Sequence, residues 1–266
     1  MNFRIQYNLS AVRKSGLIPC FVLKFDDICI FWYNTRIKPQ NDPLKRRKDG
    51  TEVNDPLITA ALDFAKRVFE NDSGGHDFYH TLRVVRLAER LAAAEGADPE
   101  TVLLAAALHD VDDRKLSPQT NEKKDRAVRF LRGQGVPEEK IRLIREIIGE
   151  VSFVGTDSVT PATVEGKCVQ DADRLDAIGA IGIARTFAYG GAHSRAMYDP
   201  DCPPKENMTA EEYLGSSSPT VNHFYEKLFF LRGMMNTETA REIALGREEF
   251  MREFLRRFYD EWDGNQ

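Results

Sequence analysis

Residues 103–110 of this 266-residue chain read Leu-Leu-Ala-Ala-Ala-Leu-His-Asp, an apolar run that ends in a histidine and an aspartate. Leu103–Leu108 has no polar side, which is typical of a helix buried in the middle of a domain. Asp98-Pro99 provides a start signal for it, an N-cap residue followed by proline at the first helical position. Buried polar groups such as those of His109-Asp110 cost about 1–3 kcal/mol each if they find no partner. The run therefore predicts a central helix that carries polar groups to a site.

The sequence on both sides of this run also has helical periodicity. Apolar residues recur at helical spacing from Ile58 to Phe69 and again from Val84 to Leu91. Further helices are predicted at Glu122–Arg132, Pro137–Glu150, Ala162–Phe187, Thr220–Met235 and Thr237–Trp262. There is no sustained strand alternation and no internal repeat between them. The sequence therefore predicts an all-α domain, a helical bundle over residues 55–266.

The first 54 residues differ in character from the rest. Phe21–Phe25 and Ile28–Tyr33 are short runs rich in β-branched and aromatic residues, and Asp26-Asp27 between them favours a hairpin turn. Lys38–Asn54, with two prolines, a glycine and mixed charges, is predicted to be a linker. Three interpretations of residues 1–54 stay open: a small accessory element, a partly disordered leader, or upstream sequence included by a wrong start assignment.

Composition excludes several classes of protein. With 42% hydrophobic and 30% charged residues, the chain is neither disordered, collagenous nor a multi-span membrane protein. The most apolar stretch near the start, Gly16–Tyr33, contains Lys24, Asp26 and Asp27 and does not form an uncharged membrane span. The four cysteines form no CxxC pair, which argues against a zinc knuckle or a disulfide framework. Reduced thiols and a cytoplasmic location are expected.

Charge is distributed unevenly along the chain. The formal net charge is −5, but residues 1–50 carry +6 and residues 51–266 carry −11. The basic run Lys45–Lys48 has two interpretations, a nucleic-acid or nuclear-localisation patch and a solvated linker, and the linker is the commoner case. An acidic domain disfavours a long nucleic acid as partner. A small phosphorylated compound, drawn to a local metal ion and a few cations, is the expected ligand.

Histidines and aspartates cluster around the central helix. Three of the five histidines fall within residues 76–109, and His80 is expected to point inward with Val84. Neighbouring helical residues diverge by about 100°, so His109 and Asp110 reach one ion only where the helix ends. A fourth ligand is expected from one of the three aspartates of Asp171–Asp176. Imidazoles and carboxylates bind divalent metals, and a helical domain can supply them from several helices.

These residues resemble the signature of the HD-domain metal-dependent phosphohydrolase superfamily: a histidine, then a His-Asp pair, then a distant aspartate. The resemblance extends over about Pro56 to Trp262 and is strongest to small bacterial-type HD hydrolases in four segments, Gly75–Val84, Ala107–Asp110, Gln170–Ile181 and His223–Leu228. It implies that His80, His109, Asp110 and Asp173 are the metal ligands. Some HD proteins add two histidines between the His-Asp pair and the last aspartate to hold a second metal ion. This chain has no histidine between His109 and His193, so the resemblance implies a single ion.

The resemblance also implies a reaction. It favours hydrolysis of nucleoside triphosphates to monophosphate and pyrophosphate by a metal-activated water, with Mn²⁺ as the expected ion and Mg²⁺, Co²⁺ or Ni²⁺ as alternatives. Asp113 lies where relatives with nucleotidase activity often have a catalytic glutamate. Arg83 lies one turn after His80 and can share its face, Lys115 follows the ligand loop, and Lys227 lies in the His223–Leu228 segment. Each is a candidate for binding phosphate, although a solvated side chain is the commoner case. A cyclic-nucleotide phosphodiesterase, a guanosine tetraphosphate hydrolase and a non-catalytic nucleotide-sensing module are the alternatives; the oligomeric state is left open.

Overall fold

The computed structural model describes residues 22–25, 28–31, 55–69, 78–113, 120, 122–151, 159–205 and 218–265. Contacts divide the chain into two units, Met1–Asn54 and Asp55–Gln266. In the first unit, β1 (Val22–Phe25) pairs antiparallel with β2 (Ile28–Phe31), and Phe25 is the register partner of Ile28. This pairing confirms the predicted hairpin. The predicted linker Lys38–Asn54 lies outside the described residues.

In the described part of the second unit every regular element is helical, which confirms the all-α prediction. None of these helices is both long and apolar enough to cross a membrane. The regular helices are α1 (Pro56–Phe69), α2 (Phe78–Glu95), α3 (Pro99–Leu108), α4 (Asp125–Gly133), α5 (Glu138–Val151), α6 (Val164–Asp176) and α7 (Gly179–Ala192). An irregular helix follows, made of Phe224–Leu228, Phe229–Leu231 and Arg232–Met234, and the C-terminal helix is Glu238–Trp262.

Helix α3 is the central element of the second unit. It packs against α1, α2, α5 and α6, and every residue from Thr101 to Leu108 is buried. The Asp98 side chain accepts a hydrogen bond from the Thr101 backbone N–H at 3.1 Å, and Pro99 begins the helix. The helix therefore begins where its sequence predicts, and it is buried as predicted.

The single helix predicted over Ala162–Phe187 is wrong. Helix α6 ends at Asp176, Ile178 is extended, and Gly179, the first residue of α7, has a φ of +76°. A Cβ at Gly179 would lie 3.0 Å from Cγ of Arg247. Glycine adopts a positive φ without the steric cost that other residues incur, so it allows α7 to leave in a new direction. Apolar residues keep the same helical spacing through the break, so the sequence pattern does not show that one helix ends and another begins.

Two other predicted helices differ at their starts. The helix predicted over Glu122–Arg132 begins only at Asp125, because Lys124 is left-handed with a φ of 53°. The one predicted over Thr220–Met235 begins at Asn222, and from Phe224 it runs through π-helical, α-helical and 3₁₀ turns. The remaining two predictions agree with α5 and the C-terminal helix to within one residue. Helix existence was therefore easier to predict than helix geometry.

Candidate metal centre

The end of α3 brings two neighbouring residues to one place. After Leu108 the backbone changes to three-residue turns, with the Val111 N–H bonded to the Leu108 carbonyl at 3.3 Å and the Asp113 N–H to the Asp110 carbonyl at 3.0 Å. Nε2 of His109 consequently lies 3.2 Å from Oδ2 of Asp110. A regular helix would keep these side chains about 100° apart. The helix therefore ends at the point where the sequence requires it to end if both side chains are to reach one ion.

All four predicted ligands converge at this point. Helix α2 brings His80, and α6 brings Asp173; both helices pack against α3. Nε2 of His80 lies 3.4 Å from Oδ2 of Asp110 and 3.3 Å from Oδ1 of Asp173, and the latter oxygen is 3.9 Å from Nε2 of His109. Candidate ligand atoms of His80, His109 and Asp110 all lie within 4.8 Å of one another. The fold therefore assembles two imidazoles and two carboxylates from three helices.

The donor set fits a divalent ion. Nδ1 of His109 donates a hydrogen bond to the Ala106 carbonyl at 2.8 Å. In the neutral ring the lone pair is therefore on Nε2, the nitrogen that faces the carboxylates. This Nε2 is buried and makes no hydrogen bond in the structure as described, although a carboxylate oxygen is near. Buried polar atoms normally have partners, and an orphaned imidazole nitrogen among carboxylates is the arrangement that a cation completes.

The close approach of these histidines and aspartates changes their pKa values. Burial alone lowers the pKa of a histidine, but hydrogen bonds to Asp110, Asp173 and Asp176 raise the pKa of His80 well above its usual value. The pKa of His109 is raised as well, because Asp110 and Asp173 outweigh its burial. The pKa of Asp173 is lowered, since the two histidines outweigh its own burial. Without a metal the cluster binds protons strongly, so a metal ion must displace them.

Sequence reasoning missed Arg185 and the role of Asp176, which it considered only as one of three aspartates that could be the fourth ligand. Oδ2 of Asp176 lies 2.7 Å from Nδ1 of His80, on the side of the ring away from the other carboxylates. Nη1 of Arg185 donates to the same oxygen at 2.7 Å, and Arg83 donates through Nε to Oδ1 at 2.7 Å. These contacts hold the pKa of Asp176 far below its usual value despite burial. Its position three residues after Asp173, on the same helical face, was the available signal.

Asp171, another aspartate of the same helix, has a structural role. Its carboxylate accepts hydrogen bonds from the backbone N–H groups of Asn236 and Thr237, each at 2.8 Å, and from the Thr237 hydroxyl at 2.8 Å. It thereby fastens α6 to the start of the C-terminal helix. The three aspartates of residues 171–176 consequently face three different sets of partners, and Asp173 is the one beside both His80 and His109.

The loop after the His-Asp pair brings Asp113 close to a lysine. The Lys124 ammonium is partly buried, and this burial lowers its pKa although Asp112, Asp113 and Asp110 act to raise it. Asp112 is fully buried and accepts hydrogen bonds from the N–H groups of Arg126 at 3.2 Å and Ala127 at 3.0 Å, at the start of α4. The ligand loop is thus tied to α4, and Lys124 is a cation that the sequence analysis did not single out.

The remaining predicted phosphate-binding residues have different surroundings. Nε and Nη2 of Arg83 donate to Asp176 at 2.7 and 3.0 Å. Lys227 belongs to the first turn of the irregular helix, where burial first, then Lys227 and Arg195, lower the pKa of His223 to about 3. Lys115 lies outside the described residues. The structure therefore brings Arg83 to the ligand cluster through Asp176 and places Lys227 near His223.

Known proteins are similar to this chain in sequence and fold. The HD domain family model matches residues 77–178. YpgQ of Bacillus subtilis is 39% identical over 200 residues, covering 73% of this chain and 87% of YpgQ. A crystal structure of YpgQ in complex with ADP matches with a TM-score of 0.58 and 34% identity, covering 76% of this chain and 97% of the other.

Two other solved structures match more closely in shape. A Lactobacillus plantarum protein gives a TM-score of 0.70 at 40% identity, covering 80% of this chain and 99% of the other. An HD-superfamily hydrolase from Bacillus thuringiensis gives a TM-score of 0.63 at 41% identity, covering 77% and 96%. Since these relatives align over nearly their whole lengths, the chain belongs to the HD-domain superfamily of metal-dependent phosphohydrolases.

Proposed function

We propose that the protein hydrolyses nucleoside triphosphates to monophosphate and pyrophosphate at the centre formed by His80, His109, Asp110 and Asp173. The observation that carries the proposal is the convergence of two imidazole nitrogens and two carboxylates, with Nε2 of His109 buried and lacking a hydrogen bond in the described structure. The relative YpgQ, which has been crystallised with ADP, supports a nucleotide as the ligand.

The proposed ion is Mn²⁺, bound singly by these four residues. Nitrogen and carboxylate ligands together suit such a divalent ion, and Mg²⁺, Co²⁺ and Ni²⁺ are the alternatives to compare. When bound, the ion lowers the pKa of a coordinated water towards neutrality and polarises a phosphoryl oxygen. His109 contributes Nε2 because its Nδ1–H is held by the Ala106 carbonyl. His80 contributes Nε2 because its Nδ1 faces Asp176.

Asp113 is the proposed general base. It follows Asp110 by three residues, and its backbone N–H is bonded to the Asp110 carbonyl at 3.0 Å. In the proposed step, Asp113 accepts a proton from water as the oxygen attacks the α-phosphorus, and the bond from that phosphorus to the bridging oxygen breaks. Pyrophosphate leaves with that oxygen and its electron pair. Aspartate is shorter than the glutamate of related nucleotidases, so the water must lie closer to the loop.

Cations around the centre are proposed to hold the phosphates. Lys115 and Lys227 are proposed for this role on the basis of the sequence. Lys124 is added because it lies near the carboxylates of the ligand loop. Arg83 is also proposed, although two of its nitrogens already bind Asp176 and a phosphate would share its guanidinium. Concentrated positive charge is needed, since residues 51–266 carry −11 and would repel a polyanion. A cytoplasmic location, where nucleotides are abundant, is part of the proposal.

A nucleotide panel tests the proposal. The full chain is assayed with Mn²⁺, Mg²⁺, Co²⁺ and Ni²⁺ on nucleoside triphosphates, cyclic nucleotides and guanosine tetraphosphate, with phosphorus NMR to identify products. Monophosphate plus pyrophosphate from a triphosphate is expected, with loss of turnover in Asp110→Asn. Turnover confined to cyclic nucleotides or to guanosine tetraphosphate would contradict the proposed substrate. A protein that binds Mn²⁺ and hydrolyses nothing in the panel would instead be a nucleotide-sensing module.

A further inference from the structure

We propose that Asp176 is a positioning residue that fixes the His80 ring for metal binding, and that Arg83 and Arg185 hold Asp176 in place. The inference rests on the metal centre of the proposed function. Asp176 comes from the last position of α6, whereas His80 lies 96 residues earlier on α2. Their side chains meet at 2.7 Å between Oδ2 and Nδ1, and both are buried.

This contact decides which nitrogen faces the centre. A carboxylate accepts hydrogen bonds, so Asp176 requires Nδ1 of His80 to carry a proton. The neutral ring then has its lone pair on Nε2, the atom that lies 3.4 Å from Asp110 and 3.3 Å from Asp173. Histidine ligands of metals commonly depend on such an outer carboxylate for tautomer and ring orientation.

The two arginines make the carboxylate rigid. Oδ1 accepts from Nε of Arg83, and Oδ2 accepts from Nη2 of Arg83 at 3.0 Å and from Nη1 of Arg185 at 2.7 Å. A two-nitrogen contact with a guanidinium fixes both the plane and the position of a carboxylate. The three formal charges sum to +1, so this side of His80 orients the ring without adding negative charge to the centre. The negative charge that attracts a cation comes from Asp110 and Asp173.

Helix α6 also contains a matched control. Asp171 is buried like Asp176 and accepts several hydrogen bonds, but its donors belong to Asn236 and Thr237 at the start of the C-terminal helix. Replacing either aspartate by asparagine removes one buried charge from the same helix. Only the change at position 176 alters the partner of a proposed ligand, so the pair separates positioning of the metal site from general stability.

The test measures binding of Mn²⁺ alone, without nucleotide, by titration calorimetry on the full chain. Asp176→Asn places an amide N–H₂ or a single oxygen where four donors converge, and we expect its Mn²⁺ affinity to fall about 10–100-fold. Asp171→Asn is expected to keep its affinity within about two-fold of the wild type, by the same reasoning about outer partners. Equal affinities in the two folded variants would overturn the inference.

Two further variants keep the test decisive. If Asp176→Asn does not fold, Asp176→Glu retains the charge but displaces the carboxylate by one methylene; at least about five-fold weaker Mn²⁺ binding is expected, and wild-type affinity overturns the inference. His80→Ala tests the centre itself. If His80→Ala binds Mn²⁺ as the wild type does, the proposed metal centre fails. If only His80→Ala weakens binding and both Asp176 variants do not, the centre stands and the positioning role fails.

Discussion

Asp171→Asn is predicted to destabilise the protein strongly while sparing the metal centre. The Asp171 carboxylate accepts from Asn236 N–H and Nδ2 at 2.8 Å through Oδ1, and from Thr237 N–H and hydroxyl at 2.8 Å through Oδ2. In either orientation an asparagine amide turns an N–H₂ group toward two of these donors. Thr237 is itself the N-cap of the C-terminal helix, bonding the Ala240 N–H at 3.3 Å. The substitution therefore loosens the junction between α6 and that helix.

The magnitude follows from these contacts. Hydrogen bonds to a charged group contribute about 1.5–3 kcal/mol each, so losing two costs about 3–6 kcal/mol. Burial raises the pKa of Asp171 despite these hydrogen bonds, so the bonds do not fully compensate the free-energy cost of burying the charge. Removing the charge therefore offsets part of the stability lost with the two bonds. We expect a decrease of about 2–4 kcal/mol in the free energy of unfolding, a large share of the 5–15 kcal/mol typical of a domain.

Urea unfolding followed by far-ultraviolet circular dichroism measures this change, and it is made in parallel with a Mn²⁺ titration of the folded variant. A loss below about 0.5 kcal/mol, within the range of ordinary surface changes, would refute the proposed role of Asp171 in joining α6 to the C-terminal helix. A loss of Mn²⁺ affinity by ten-fold or more would refute the separation of roles among the aspartates of α6. Thr237→Ala, which removes the hydroxyl donor and the cap together, is expected to cost about 1–2 kcal/mol.

Three further predictions concern other parts of the second unit. Gly179→Ala is expected to cost about 1–3 kcal/mol in urea unfolding, because its φ is +76° and a Cβ would meet the Arg247 side chain at 3.0 Å; an unchanged midpoint would contradict this. The pKa of His223 is lowered to about 3, so its ring stays neutral in the folded protein at pH 5, whereas in the unfolded chain the ring gains a proton as the pH falls below about 6.5. The stability from this group is therefore lost as the pH falls from 6.5, by about 1–2 kcal/mol at pH 5 for a half-buried ring, and His223→Gln should remove that part of the pH dependence of unfolding. Asp113→Asn is expected to lower kcat at least about 100-fold with Mn²⁺ content unchanged, and a loss of bound metal would show that it acts as a ligand instead.

Local signals in the sequence were sufficient for the central helix and its ends. Asp98-Pro99 and the apolar run fix where α3 begins and why it is buried, and the His-Asp pair is placed by the helix end that follows. Such features depend on neighbours within a few residues. The predicted ligands His80 and Asp173 also converge with His109, but the resemblance to a family was needed to choose among the aspartates of α6.

The features that were missed depend on long-range contacts. Nothing near Asp176 in the sequence specifies that α2 will bring His80 and Arg83 to it, or that α7 will bring Arg185 back from beyond a break. The break itself depends on one left-handed glycine within a continuous apolar pattern. Tertiary packing decides the Asp176 cluster, because the carboxylate and the arginines are stabilised only in each other's presence.

In the proposed metal centre, His80, His109, Asp110 and Asp173 together hold one divalent ion. Equilibrium dialysis of the full chain against Mn²⁺ tests it most directly, with the wild type compared with Asp173→Asn at the same free Mn²⁺ concentration. The Asp173 oxygen lies 3.3 Å from Nε2 of His80 and 3.9 Å from Nε2 of His109, so replacing the carboxylate by a neutral amide removes its charge and weakens it as a ligand. We predict about one ion per wild-type chain and less than about a tenth of that in the variant, as expected for loss of a charged metal ligand. One ion per chain at wild-type affinity in Asp173→Asn would contradict the account.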